Sequence, residues 1–212
     1  MKIYLINGEN NIGKTDFAVN LAESLAVNGR VLLTSFFRDP KSNIEDYFKK
    51  DGMITYDISD YFLGLIDLDK AIVNENNNLD FIISPLVENK YELRIEDVYK
   101  LIDAVDYDVL IIDNLNFNIN QAIRVDIISA DDVAKDLHSD YFFVNKVNDS
   151  FDPRNYRTEL LAKESKYLGF VKENEYFKDI IDRLINEKAE DIEELGFFEK
   201  IKKMFKKWWI SY

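Results

Sequence analysis

The chain has 212 residues, of which 47% are apolar, and it contains seven glycines, three prolines, no cysteine and one histidine. A chain of this length and composition can bury the core of one α/β domain and is neither disordered nor fibrous. The lack of cysteine excludes disulfides, thiolate metal sites and a cysteine nucleophile, and the single His138 excludes a multi-histidine metal site.

The net charge of −13 is unevenly distributed along the chain. Residues 1–195 hold 22 of the 27 basic and 39 of the 40 acidic side chains, a net −17, and residues 196–212 hold the other five lysines and one glutamate. A net charge of −17 on residues 1–195 repels nucleic acid at ordinary salt. DNA is therefore not expected as a partner. No signal peptide and no run of roughly 20 apolar residues is visible, so we expect the protein to be cytoplasmic.

Short apolar runs without alternation predict buried parallel strands, and helical patterns lie between most of them. Strands that alternate with helices predict an α/β fold with a doubly wound, mainly parallel sheet. No repeat or linker divides the chain, so we expect one domain, residues 1–195, and a tail, residues 196–212. Strands are expected at 2–7, 30–36, 79–84, 107–113, 124–129, 140–146 and 167–171. Helices are expected at 14–28, 42–50, 94–105, 131–138, 156–164 and 175–187.

The turn after the first predicted strand carries the most specific motif. It fits the phosphate-loop pattern G-x-x-x-x-G-K-S/T and precedes the first predicted helix. Backbone N–H groups in such a loop point inward, and the helix adds its positive end. We expect Lys14 to reach the β and γ phosphates and Thr15 to ligate Mg²⁺. A chance glycine-containing turn, or a loop that binds nucleotide without hydrolysing it, are the alternatives. The predicted nucleotide-binding residues here are Gly8, Glu9, Asn10, Asn11, Ile12, Gly13, Lys14 and Thr15.

Three polar residues follow or end predicted strands, where open α/β sheets bind ligands. Asp113 ends a Walker B pattern, Val109–Asp113, in which a buried strand delivers a carboxylate towards the metal. Asp39, before Pro40, could polarise the attacking water or hold a metal-bound water. The Asn145 amide suits a purine edge because it both donates and accepts. The alternatives are a capping aspartate, an ordinary Asp-Pro turn and a turn-forming asparagine, respectively.

The order of these motifs resembles the MinD/ParA group of P-loop ATPases. The phosphate loop, the Asp-Pro loop, "YDVLIID" and "VNK" follow one another as in that family. Residues 54–57 through 82–85 are similar to the family's stretch between switch I and a strand that ends near a proline. Residues 167–171 resemble the strand before its last core helix. The resemblance covers most of residues 1–187 and implies the same α/β fold.

The resemblance also implies roles for these residues. The loop would bind the phosphates of ATP and Mg²⁺, Asp39 would be the switch I acid, Asp113 the Walker B acid, and Asn145 would contact adenine. The predicted metal-site residues are therefore Thr15, Asp39 and Asp113. Members of the family typically dimerise face to face around ATP and organise cargo in the bacterial cell, so a nucleotide-linked homodimer is expected.

The chain departs from the family pattern in its loop. The family's loop usually reads Gly-Lys-Gly-Gly-x-Gly-Lys-Thr, and its early lysine reaches the partner's phosphates. Here Glu9 stands at that position and would repel a triphosphate. Asn10 and Asn11 replace two glycines and tolerate a left-handed backbone. Phe37 stands where the family usually has an aspartate two residues before the switch I acid. We expect nucleotide binding with slow or absent hydrolysis, with Lys14 and Asp39 as the catalytic residues.

The tail has the spacing of an amphipathic helix. Its aromatic face and lysine face suit the surface of an anionic bilayer, where each lysine contributes on the order of 1 kcal/mol. Packing on the protein's own sheet, or binding in a partner's groove, are the alternatives. The MinD branch of the family has such a C-terminal membrane helix. The predicted membrane residues are Phe197, Phe198, Ile201, Met204, Phe205, Trp208 and Trp209, with Lys200, Lys202, Lys203, Lys206 and Lys207.

These features predict a MinD-like, ATP-dependent regulator at the inner face of the cell membrane that positions other proteins or machinery. Relatives that localise pili or secretion machinery, of the TadZ/CpaE type, also carry atypical phosphate loops. A non-catalytic nucleotide-binding scaffold is the second hypothesis, and Glu9 favours it. A DNA-partitioning ATPase is disfavoured by the acidic body. A tyrosine-kinase relative is disfavoured because the chain ends in the single Tyr212 and no tyrosine cluster.

Overall fold

The computed structural model describes residues 1–115, 117–199 and 201. The described residues form one eight-stranded sheet of order β3-β4-β2-β5-β1-β6-β7-β8. All neighbouring strands are parallel except β3 and β4. The doubly wound, mainly parallel α/β fold predicted from the sequence is therefore confirmed. The strands are β1 (Lys2–Gly8), β2 (Val31–Ser35), β3 (Val73–Asn74), β4 (Leu79–Ile82), β5 (Val109–Asp113), β6 (Ala122–Ile128), β7 (Tyr141–Val147) and β8 (Lys166–Lys172).

Helices cover both faces of the sheet, which is why the strands read as continuous apolar runs. Alternate residues of β1 enter opposite clusters: Tyr4 and Ile6 pack with α1 and α7, and Ile3 and Leu5 pack with α5. A third cluster lies around β7 and β8. The helices are α1 (Lys14–Leu25), α2 (Ile44–Tyr47), α3 (Ile58–Phe62), α4 (Leu68–Ala71), α5 (Ile95–Ala104), α6 (Arg157–Leu161) and α7 (Lys178–Ile185).

The prediction of a helix at 131–138 is wrong. This segment contains a single 3₁₀ turn, Ala130–Asp132. The Asp132 carboxylate accepts hydrogen bonds from Ser129 Oγ at 2.7 Å and pairs with Lys135 Nζ at 2.6 Å. These contacts close a tight turn, and the aspartates of this segment, Asp131, Asp132 and Asp136, are weak helix formers. The connection from β6 to β7 is therefore an irregular segment.

Two short helices, α3 and α4, and the edge strand β3 were not predicted from the sequence. The α3 helix exists because Asp57 caps it, accepting hydrogen bonds from Ser59 N and Asp60 N. The α2 helix is shorter than the predicted 42–50 because Lys49 adopts a left-handed φ of 55°. Elements of two to five residues are too short for a periodic pattern to define.

The chain order places a crevice at the carboxyl end of β1. The chain returns from α1 to β2 on one side of β1, with β5 between them, while β6 and β7 lie on the other side. Ligands of open α/β sheets bind where the strand order reverses in this way. The loop from β1 to α1, which is the predicted phosphate loop, opens into this crevice.

The tail is described only in part. Residues 197–199 and 201 are helical, and the side chains of Phe197 and Phe198 are exposed, at 72% and 78%. The predicted membrane residues that lie outside the described residues are Lys200, Lys202, Lys203, Met204, Phe205, Lys206, Lys207, Trp208 and Trp209. Among the described helices, none has the length and apolar character needed to cross a membrane. The division of the chain at residue 195 stays a prediction.

Candidate functional site

The loop between β1 and α1 has a backbone that only particular residues allow. Gly13 caps α1 in a left-handed conformation, with a φ of 95°. A Cβ at Gly13 would lie 2.8 Å from Asn145 Nδ2, and a Cβ at Gly8 would lie 2.4 Å from the carbonyl oxygen of Ile127 in β6. Asn11 is also left-handed, with a φ of 61°, as expected for an asparagine in place of a glycine. The loop therefore closes despite its departures from the family pattern.

Lys14 lies inside the loop that precedes it. Its Nζ donates to the carbonyl oxygens of Gly8 at 3.1 Å and Glu9 at 2.8 Å, and the residue is 7% exposed. Burial lowers the pKa of Lys14, while the charges of Asp113 and Asp39 act to raise it. An ammonium held on two carbonyl oxygens is poised to transfer to the stronger acceptors of a phosphate.

The end of β7 holds the other side of the loop. Asn145 Nδ2 donates to the carbonyl oxygen of Ile12 at 2.8 Å, and Lys146 Nζ donates to that of Asn11 at 2.5 Å. Among the hydrogen bonds of the described residues, none engages the backbone N–H groups of residues 10–13. These N–H groups remain free to bind an anion, which is the property a phosphate loop needs.

Thr15 and Asp113 lie in direct contact behind the loop. Thr15 Oγ1 donates to Asp113 Oδ2 at 2.6 Å. Asp113 is 3% exposed, and its Oδ1 has no hydrogen-bond partner among the described residues. Burial raises the pKa of Asp113 to about 6, against the opposing effects of Thr15 and Lys14. A buried carboxylate with one unpartnered oxygen, next to a hydroxyl, has the donor set that a hydrated Mg²⁺ ion requires.

Asp39 lies in the loop after β2 and has a structural contact of its own. Its Oδ1 accepts from the backbone N–H groups of Lys41 at 2.8 Å and Ser42 at 3.3 Å. This is the turn that the sequence left open as an alternative. Its charge still acts on Lys14 and on Asp113, so the residue borders the site as well. The turn fixes the loop, and Asp39 also lines the cavity beside Lys14 and Thr15.

A cavity of about 250 Å³ lies between these groups. Its lining brings four of the eight predicted loop residues together with Asp39, and it includes neither Asp113 nor Asn145. The larger cavity of about 740 Å³ adjoins it on the side of β2 and β4 and shares Asp39 and Lys41 with it. The smaller one is lined by Asn11, Gly13, Lys14, Thr15, Asp16, Asp39, Lys41, Ser42, Tyr47 and Lys146.

The Glu9 side chain does not line this cavity, and its charge is paired with a lysine on the exposed side of the loop. Its exposed carboxylate pairs with Lys135 Nζ at 2.7 Å, and the same ammonium pairs with Asp132 at 2.6 Å. Sequence reasoning missed Lys135 and Lys146 as neighbours of the loop. A sequence signal existed for Lys146, since it directly follows Asn145, whereas no pattern in the sequence pointed to Lys135.

Neither a protein-family model nor a curated protein matches the chain. Solved structures do. A plasmid partition protein from Borrelia burgdorferi bound to AMPPNP has a TM-score of 0.64 at 20% identity, over 88% of this chain and 98% of that one. The MinC:MinD cell division complex of Aquifex aeolicus gives 0.65 at 16% identity, over 92% and 99%. Cobyrinic acid a,c-diamide synthase from Mycobacterium smegmatis, with ADP and magnesium, gives 0.61 at 15% identity, over 87% and 94%. Likeness at this identity is a likeness of fold.

Proposed function

We propose that this chain, whose fold is that of the MinD/ParA group of P-loop ATPases, binds ATP with Mg²⁺ and regulates the position of other proteins at a membrane. The observation that carries the nucleotide site is the contact of Thr15 Oγ1 with Asp113 Oδ2 at 2.6 Å, directly behind a loop whose N–H groups are free. The structures of similar fold that contain AMPPNP, or ADP with magnesium, support the same ligand class.

Each residue of the proposed site has a distinct role in binding the nucleotide or the metal. Backbone N–H groups of the loop and the start of α1 bind the phosphates, and Lys14 adds a mobile positive charge. Thr15 and Asp113 would hold the metal, and Asp39 lines the same cavity as Thr15. Magnesium, when bound, supplies the charge that stabilises negative charge developing on the phosphates. Asn145 remains the proposed contact of adenine through the acceptor end of its amide.

We propose that hydrolysis is slow. The cation that the family places at the second loop position is replaced by Glu9, whose carboxylate is held by Lys135 at 2.7 Å on the outer side of the loop. A carboxylate there contributes nothing to stabilising the charge that develops on the phosphates, whereas a lysine does. The chain would then persist in its nucleotide-bound state, which suits a protein that recruits partners.

The test of the nucleotide site is calorimetric titration with MgATP. The wild type is expected to bind, and Lys14→Ala to lose most of its affinity. Turnover is followed in parallel by phosphate release, and the expected rate is low. If Lys14→Ala binds nucleotide as tightly as the wild type, the proposed nucleotide site is contradicted. Robust turnover by the wild type would contradict only the proposal of slow hydrolysis.

We propose that the tail, residues 196–212, binds an anionic lipid surface. Two observations support it: Phe197 and Phe198 are exposed in the described part, and the segment contains five lysines against one glutamate. Flotation with phosphatidylglycerol vesicles is expected to recover the full chain and to lose residues 1–195. Equal recovery of the two forms, or recovery independent of lipid charge, contradicts this part of the proposal.

The proposed assembly is a homodimer formed face to face around nucleotide. Light scattering with and without MgATP measures it, and the expected result is a twofold mass increase with nucleotide. A chain that stays monomeric and shows no turnover would instead be the non-catalytic scaffold. A DNA-partitioning role gains support from the fold of the plasmid partition protein, but the −17 charge of residues 1–195 opposes it.

A further inference from the structure

A distorted strand end brings two consecutive side chains to the phosphate loop. Successive residues of a regular strand face opposite sides of the sheet. Yet Asn145 and Lys146 both reach the loop, at the carbonyl oxygens of Ile12 and Asn11. This is possible because Lys146 adopts a left-handed φ of 55° and the pairing of β7 with β8 shifts register between Val144 and Val147. Bulges of this kind re-aim side chains beside functional sites.

Backbone strain at a lysine needs a compensating reason. A left-handed conformation is disfavoured by on the order of 1 kcal/mol or more for a residue with a Cβ, and it persists where the surroundings impose it. The hydrogen bond to Asn11 is one such constraint, but it uses one of three donors on an exposed ammonium. The remaining donors of Lys146 lie at the rim of the 250 Å³ cavity, which Lys146 helps to line.

Lys14 and Lys146 hold different parts of the loop. Lys14 Nζ donates to the carbonyl oxygens of Gly8 and Glu9, at the start of the loop, whereas Lys146 Nζ donates to that of Asn11, nearer to α1. Both lysines line the same cavity. Because Lys14 is the proposed ligand of the β and γ phosphates, the phosphate left for a second ammonium on another part of the loop is the one next to the nucleoside.

We propose that Lys146 is a nucleotide ligand that binds the nucleoside-proximal phosphate within its own chain. This inference rests on the proposed nucleotide site. The charges lining the cavity give it weight, since Asp16 and Asp39 offset two of the three lysines present, Lys14, Lys41 and Lys146. Removal of Lys146 leaves the lining with no net positive charge for an anion.

The experiment separates the charge of Lys146 from its hydrogen bond to the loop. In Lys146→Gln, an amide can still donate to Asn11, but the charge is gone; in Lys146→Arg, the charge is kept. Calorimetry with MgATP and with MgADP measures each variant, and thermal unfolding without nucleotide reports on the fold. Lys166→Met is the control, because Lys166 is an exposed lysine at the amino end of β8, beside the ring of Tyr141, whereas Lys146 lies at the carboxyl end of the neighbouring β7.

The expected result is a loss of about tenfold or more in affinity for Lys146→Gln, as for a lost charge-assisted hydrogen bond. The loss is equal for ATP and ADP, because both carry the nucleoside-proximal phosphate. Lys146→Arg recovers most of the affinity, and Lys166→Met leaves it unchanged. Lys14→Ala, by contrast, loses more affinity for ATP than for ADP.

Two outcomes overturn the inference while leaving the nucleotide site intact: wild-type affinity in Lys146→Gln, which reduces the residue to a tether of the loop, and a loss confined to ATP. A wild type that binds no nucleotide overturns the proposed function, and this inference with it.

Discussion

Thr15 Oγ1 lies 2.6 Å from Asp113 Oδ2 although the two residues are 98 positions apart in the chain. The contact exists because β1 and β5 are parallel neighbours, with Ile6 opposite Asp113 in the register, so both strands end at the same edge. One oxygen of the carboxylate receives the hydroxyl, and the other has no partner among the described residues. The protein without ligand therefore holds a desolvated carboxyl group, and its stability is expected to depend on that group.

Asp113→Asn is expected to stabilise the nucleotide-free protein at neutral pH. The folded-state pKa of Asp113 is about 6, above its ordinary value of 3.8, so folding disfavours its ionised form. By linkage, the destabilisation is absent below the unfolded pKa of 3.8, grows as the pH rises to about 6, and stays constant above it. An asparagine keeps an acceptor for Thr15 and carries no charge, so the free energy of unfolding at pH 7.5 should rise by about 1–3 kcal/mol.

Urea unfolding at pH 4.5 and 7.5 measures this effect. The difference between Asp113→Asn and wild type is expected to shrink at the lower pH, where the wild-type carboxyl is protonated in the folded state. A variant that is less stable than wild type at pH 7.5 would show that the carboxylate is paired, not desolvated. The same variant is expected to lose the Mg²⁺ dependence of nucleotide binding.

Nucleotide binding with Mg²⁺ is expected to release a proton near pH 6. A bound cation favours the ionised carboxylate, so it lowers the raised pKa of Asp113. Affinity should therefore increase as the pH rises through about 6 and become level above it. Titration calorimetry in buffers of different ionisation enthalpy counts the protons. Release that is equally large at pH 8, or that persists in Asp113→Asn, would assign the proton to another group.

Gly13→Ala is expected to destabilise the protein more than Gly64→Ala. Both glycines are left-handed, with φ of 95° and 71°, so alanine is strained at either position. Only at Gly13 would the new Cβ meet another group, Asn145 Nδ2 at 2.8 Å; at Gly64 it meets nothing within 4 Å. Chemical unfolding should show a loss of about 1 kcal/mol for Gly64→Ala and about 2–3 kcal/mol for Gly13→Ala.

The pair of glycine variants also reports on the site. Displacing Asn145 frees the carbonyl oxygen of Ile12, so Gly13→Ala should lose nucleotide affinity while Gly64→Ala keeps it. Similar losses of stability in both variants, with unchanged affinity in both, would mean that the amide of Asn145 does not hold the loop in its binding form.

The parts of the fold that sequence predicted are those with a local signal. The phosphate loop, Asp113 and the buried strands are each defined by consecutive residues whose pattern implies their structure. The helix expected at 131–138 is only a 3₁₀ turn, Ala130–Asp132, because a short apolar pattern does not outweigh the low helix propensity of the aspartates in this segment. Elements as short as α3 depend on one cap, at Asp57, and so have no periodicity to detect.

The missed site residues have a different cause. Lys135 and Lys146 reach the loop through the pairing of β6 and β7 with β1 and through a bulge, so their positions are set by register. Consecutive residues of a regular strand face opposite sides of the sheet, so the strand pattern predicts that Asn145 and Lys146 do not both contact the phosphate loop. Sequence reasoning therefore named Thr15 and Asp113, which are in contact, but did not predict that Lys135 and Lys146 contact the loop.

Glu9→Lys is expected to raise ATP turnover. The substitution removes the carboxylate that Lys135 holds at 2.7 Å and introduces a cation at the second position of the loop. Because a cation near the phosphates stabilises charge that develops during their transfer, a gain of about tenfold or more in kcat is expected.

Glu9→Gln is the control, since it breaks the same ion pair without adding a charge. It should leave kcat nearly unchanged if the added lysine, and not the released Lys135, is responsible. Equal gains in both variants would mean that the released Lys135 raises the rate. No gain in either variant would mean that a different part of the site limits the rate of hydrolysis, such as Asp39 and its loop. Steady-state phosphate release at several protein concentrations separates these cases, because a lysine that acts across a dimer raises the rate per chain as the concentration increases.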